Sequence, residues 1–133
     1  MKSGAFLLIA ACAAASAYAQ QSNPADALST VSDLQSAQID PDSVRELGGT
    51  TRFDVRITWK DASKRPPGEP AERRMRYQAR CAQGTITVVA ISMADENGRF
   101  VKMVTVPPGT ATFVAPPPGS SEAEWLKRVC RSG

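Results

Sequence analysis

An α+β fold is what the sequence predicts: a single, mainly antiparallel sheet of about five to six strands, packed by a C-terminal α-helix and tied by one disulfide. Three observations point to it. Phe53–Trp59 and Met75–Cys81 alternate apolar and polar residues with the period of a half-buried strand. The last residues carry helical spacing behind a capping serine. A cysteine closes the second alternating run and another closes the helix.

The chain opens with Lys2, an apolar run from Ala5 to Ala15 and then Ala17-Tyr18-Ala19. These are the parts of a secretory signal peptide over residues 1–19. The run is too short to span a bilayer, which takes about 20 apolar residues. A lipobox reading of Ile9-Ala10-Ala11-Cys12 competes with it and would leave a lipid on Cys12. Cys12 stands so near the start that little h-region precedes it, so plain cleavage near Ala19 is the expectation. The protein is then exported, to the periplasm or the cell surface. Residues 20–35 are small and polar and read as an N-terminal arm, with Leu28, Val31 and Leu34 spaced for a short helix or an edge strand. Residues 36–133 form the domain.

Within that domain, a short strand ending at Asp40 is expected before Pro41, which cannot donate to a ladder. Asp40-Pro41-Asp42-Ser43 and Gly48-Gly49 are turn sequences. The strand around Phe53, Val55, Ile57 and Trp59 follows, then a loop over residues 61–72 rich in charge, Pro and Gly. The strand Met75-to-Cys81 should pair with it as a long-looped hairpin. From Thr85 to Met93 both parities are apolar, which predicts a central strand covered on both sides. Glu96-Asn97-Gly98-Arg99 turns the chain into a strand over Phe100 to Val106. Thr112-Phe113-Val114 reads as a short edge strand. A helix from Glu122 to Cys130 closes the chain, with Ser121 and Glu124 as a capping box. Trp125, Leu126, Val129 and Cys130 share its apolar face.

Once Cys12 leaves, Cys81 and Cys130 remain. In an exported chain they are expected to form a structural disulfide. A redox pair would ordinarily be spaced C-x-x-C.

Histidine is absent, which removes His-activated nucleophiles and the commonest transition-metal ligand. No glycine-rich phosphate motif is present. Asp40 with Asp42, and Asp95 with Glu96, sit in turns, where acids are ordinary turn formers rather than a catalytic pair. No catalytic residue, metal or cofactor is assigned, and the chain is read as no enzyme. The formal charge of +3 is too small to imply nucleic acid, and no aromatics interleave the arginines.

One feature stands out. Arg52, Arg56 and Lys60 project from one strand, and Arg74, Arg76 and Arg80 from the next. If the strands pair, all six share a sheet surface. Its plain reading is a solvated face whose charge deters aggregation. The functional reading is a binding face for an acidic glycan, lipid headgroups or an acidic protein.

The ordered set of elements resembles the surface-adhesin protein E-like family of Gram-negative envelope proteins over about residues 37–130. The resemblance rests on Ile39-Asp40-Pro41-Asp42-Ser43-Val44, on Arg76-Tyr77-Gln78-Ala79-Arg80-Cys81, on the Gly-led hairpin, and on the Pro-Gly-Ser linker before Val129-Cys130. It implies a sheet flanked by a C-terminal helix and tied by Cys81–Cys130. It also implies a non-enzymatic envelope protein whose partners include host matrix proteins. The alternative is a structural or accessory periplasmic protein without a ligand of its own.

Overall fold

The computed structural model of the chain describes residues 31–107 and 109–131. The segment read as a signal peptide, Cys12, Leu28 and most of the expected polar arm lie outside the described residues.

Five strands form one antiparallel sheet in sequence order: β1 (Gln35–Leu47), β2 (Thr50–Trp59), β3 (Glu72–Arg80), β4 (Thr85–Ala94) and β5 (Phe100–Thr105). Helix α1 (Ser121–Cys130) packs on its apolar face. The alternation on β2 and β3 buries Phe53, Val55, Ile57, Met75, Tyr77 and Ala79. Trp125 and Val129 of α1 complete this core. Tyr77 stands between Phe53 and Trp125, with ring centroids 5.5 Å from each. Cys81 lies one residue past β3 and is bonded to Cys130, with Cα atoms 5.5 Å apart.

Four elements differ from expectation. First, β1 does not stop at Asp40. Residues 41–44 form an irregularity, and pairing with β2 resumes at Arg45 opposite Arg52. Pro41 is tolerated because β1 is an edge strand and the proline falls in the bulge. The turn chemistry persists there: Asp42 N donates to Asp40 Oδ1, and Ser43 Oγ donates to the Asp40 carbonyl. The sheet begins at Gln35, the last residue of the segment read as an arm, and Val31 packs against the core.

Second, β4 is not covered on both sides. Arg76 pairs with Ala90 but Tyr77 pairs with Val88, so Val89 is an extra residue. A bulge of this kind reverses the facing of everything beyond it. Ile86 and Val88 face the core before it, and Ile91 after it. The mixed parity of the run records that switch.

Third, the helix cap sits one residue earlier than expected. Ser120 Oγ accepts from Ala123 N at 3.2 Å, and Ser121 is already helical. Fourth, the expected edge strand at Thr112–Val114 is a single bridge, with Val114 and Ile86 exchanging backbone hydrogen bonds. Gly48 and Gly49 form the β1–β2 turn with φ of +53° and +89°, the positive values that a two-residue hairpin of type I′ requires.

Candidate functional site

The face of the sheet opposite the core carries the arginines. The β2–β3 register sets Arg56 directly opposite Arg74, Asp54 opposite Arg76, and Arg52 opposite Gln78. Period-two alternation then places Arg52, Arg56, Arg74, Arg76 and Arg80 on one surface. Lys60 follows β2 at the corner of the sheet.

Like charges directly opposite on a sheet repel, so Arg56 and Arg74 need counter-charges. Arg56 Nε lies 2.9 Å from Glu72 Oε1, and Arg74 Nη1 lies 3.8 Å from Asp40 Oδ2. Arg76 forms the best-defined pair. Its Nε donates to Asp54 Oδ1 at 2.9 Å and its Nη2 to Asp54 Oδ2 at 3.1 Å. This two-bond fork is the geometry in which guanidinium and carboxylate fit best. Hydrogen bonding to Asp54 raises the Arg76 pKa above its ordinary value, although partial burial opposes the shift.

The other three cations are held differently. Lys60 Nζ donates to the Asp33 carbonyl at 3.0 Å. The Arg80 guanidinium stands 3.9 Å from the centroid of the Phe113 ring, a cation–π contact. Arg52 forms no salt bridge among the described residues. With Arg45, which the β1–β2 register sets directly opposite Arg52, seven cations therefore share the surface with three carboxylates. Only Arg56, Arg74 and Arg76 form a contiguous cluster, and each keeps about half of its side chain exposed.

Two features of this surface were not anticipated from sequence. Asp54, on the polar parity of β2, is only 5 % exposed beneath the arginines. Its backbone N–H donates to Ser43 Oγ from the β1 irregularity, so the bulge at Pro41 helps to hold the counter-ion of Arg76. A spacing signal was available, since Asp54 falls midway between Arg52 and Arg56 on the same parity. The bulge at Val89 also brings Ala90 and Ser92 onto this face, beside Arg74 and Arg76. With Met103 they line a recess of about 60 Å³. A shallow depression of about 250 Å³ continues past Glu72 and Ser92 to Phe100. The arrangement offers guanidinium N–H donors held at fixed planes, next to small and apolar side chains.

Among the described residues no group of three or more carboxylates, cysteines or histidines could hold a metal ion. No helix there is long and apolar enough to cross a membrane.

Comparison with curated proteins and with solved structures finds no match. A family model does match, and it spans every strand, the helix and both cysteines. Over residues 26–131 the chain fits the surface-adhesin protein E model, and it belongs to that family.

Proposed function

We propose that the mature chain is an exported, non-enzymatic binding module of the bacterial cell envelope, and that its arginine-bearing sheet face takes an acidic partner. Family membership supports an adhesin-like role at a surface. The observation that carries the choice of face is the contiguous cluster of Arg56, Arg74 and Arg76. All three are half exposed on a face where cations outnumber carboxylates. Partners of matching chemistry are sulfated or phosphorylated glycans, lipid headgroups and acidic segments of matrix proteins.

The ion pairs determine which variants test this. Arg76→Glu would set a new carboxylate against Asp54 and disturb folding. Arg52 and Arg74 are safer, because one has no salt bridge and the other holds Asp40 only at 3.8 Å. On an array of sulfated glycans, the parent should bind with an affinity that falls as salt rises. The Arg52→Glu/Arg74→Glu variant should bind at least tenfold more weakly and melt close to the parent. Unaltered binding by the variant overturns the reading.

A second reading is favoured by the ion pairs themselves. Three of the seven cations are neutralised within the sheet, as suits a structural or accessory envelope protein without its own ligand. Absence of parent binding on the array, with envelope-stress sensitivity in a deletion strain, would support it.

A further inference from the structure

The arginine face ends in an apolar margin. Strand β5 closes the sheet, with only β4 beside it among the described residues. Three of its large apolar side chains find no cover: Phe100 is 68 % exposed, Val101 59 % and Met103 54 %. Edge strands are ordinarily blunted with charge, and β5 carries Lys102 alone.

A bulge decides where these side chains stand. Met93 pairs with Lys102 and Ala94 with Phe100, so Val101 is an extra residue. Strict alternation would set Phe100 on the face of Lys102 and Val104, which lie opposite Met93 and Ile91. The bulge turns Phe100 to the other face, where Met103 lies opposite Ser92. Both therefore share the surface of the arginines.

The register lays that surface out in rows. Arg56, Arg74, Ser92 and Met103 succeed one another across β2, β3, β4 and β5. Glu72, Ala94 and Phe100 form a neighbouring row. Between the arginines of β3 and the apolar residues of β5 stand Ala90, Ser92 and Ala94, too short to screen either group. Arg74 lines the same depression as Phe100, and Arg74 and Arg76 line the same recess as Met103. The face is thus a platform, cationic over β1 to β3 and apolar along β5. Helix α1 packs on the opposite side and leaves it open.

This division selects among acidic partners. A sulfated glycan satisfies guanidinium groups but gives little to Met103, which needs an apolar medium. A folded acidic protein meets apolar anchors best at the centre of a contact, inside a polar rim, and here they lie along one margin. An anionic bilayer suits both parts. Its headgroup layer attracts cations, and the acyl boundary beneath takes apolar side chains that dip past it.

Resting on the reading that the arginine face takes an acidic partner, we propose that this partner is an anionic phospholipid surface. Arg52, Arg56 and Arg74 meet the headgroups, and Phe100 and Met103 of β5 enter among the acyl chains.

The test is flotation of the mature chain with vesicles of equimolar phosphatidylcholine and phosphatidylglycerol, beside vesicles of phosphatidylcholine alone and the sulfated glycan array. Binding to the mixed vesicles is expected, at least tenfold stronger than to phosphatidylcholine and weaker as salt rises. Phe100→Ser/Met103→Ser changes only exposed side chains, so it should melt like the parent. It should lose at least tenfold in vesicle affinity and match the parent on the array. Arg52→Glu/Arg74→Glu should lose both. Phe100→Trp reads depth directly: its added emission should move to the blue on vesicles and be quenched by brominated acyl chains. Parent binding to the array without binding to mixed vesicles overturns this proposal and leaves the arginine-face reading standing. Undiminished vesicle binding by Phe100→Ser/Met103→Ser, or no quenching in Phe100→Trp, also overturns it. Parent binding to neither vesicles nor array overturns both readings.

Discussion

Asp54 shows how much one side chain on a solvent-facing surface can matter. It lies under the arginines, receives the two-bond fork of Arg76, and is positioned by Ser43 from the neighbouring strand. Removing the carboxylate takes two charge-assisted hydrogen bonds from a guanidinium that remains half exposed and can turn to water. Asp54→Ala should therefore cost about 1–3 kcal/mol in urea unfolding. Arg52→Ala, which breaks no salt bridge, should stay within about 0.5 kcal/mol. Equal, small effects would show that the Asp54–Arg76 pair contributes no more than an ordinary surface pair. At this scale the sequence made the cations legible, because alternation alone assigns them to a face. It did not reveal which carboxylate answers which arginine. Asp54 lies directly across from Arg76 while Glu72 and Asp40 are offset from their arginines, so every pairing depends on the register, and the β1 part of that register is shifted at Pro41.

At the scale of the element, the most informative piece is β4. Its two apolar parities are consistent with double cover or with a bulge, and only the register distinguishes them. Thr87, followed by Ile91 and Met93, already hints at the reversal, since the polar positions change parity within one strand. Deleting Val89 would remove the extra residue, and either Ile86 and Val88 or Ile91 and Met93 would have to leave the core. The deletion variant should lose cooperative unfolding and bind a hydrophobic dye as partly packed states do. A sharp, parent-like transition would show that the bulge can relocate. The other elements were read from sequence with displaced ends. The cap moved from Ser121 to Ser120 because both serines suit the role, and only backbone geometry chooses between them. Strand β1 ran past its proline because an edge strand can absorb a residue that donates no hydrogen bond.

For the whole molecule, the decisive link is Cys81–Cys130, which joins the end of β3 to the end of α1. The bridge spans 49 positions, and the loop-closure model gives it about 4 kcal/mol. Domains of this size are stable by roughly 5–15 kcal/mol. Cys81→Ser/Cys130→Ser should therefore lose a large fraction of its stability in urea, and α1 should lose protection from hydrogen exchange before the sheet does. A shift under about 1 kcal/mol would show that Trp125 and Val129 dock the helix without help. The sheet has a further property at this scale. Every strand lies beside its sequence neighbour, so a chain produced from N- to C-terminus can zip each hairpin as its second arm appears. Cys130 follows all five strands in the chain, so it emerges after them and oxidation cannot trap a half-made sheet by pairing Cys81 with it too early. The bond acts as a final latch that closes on a nearly finished object.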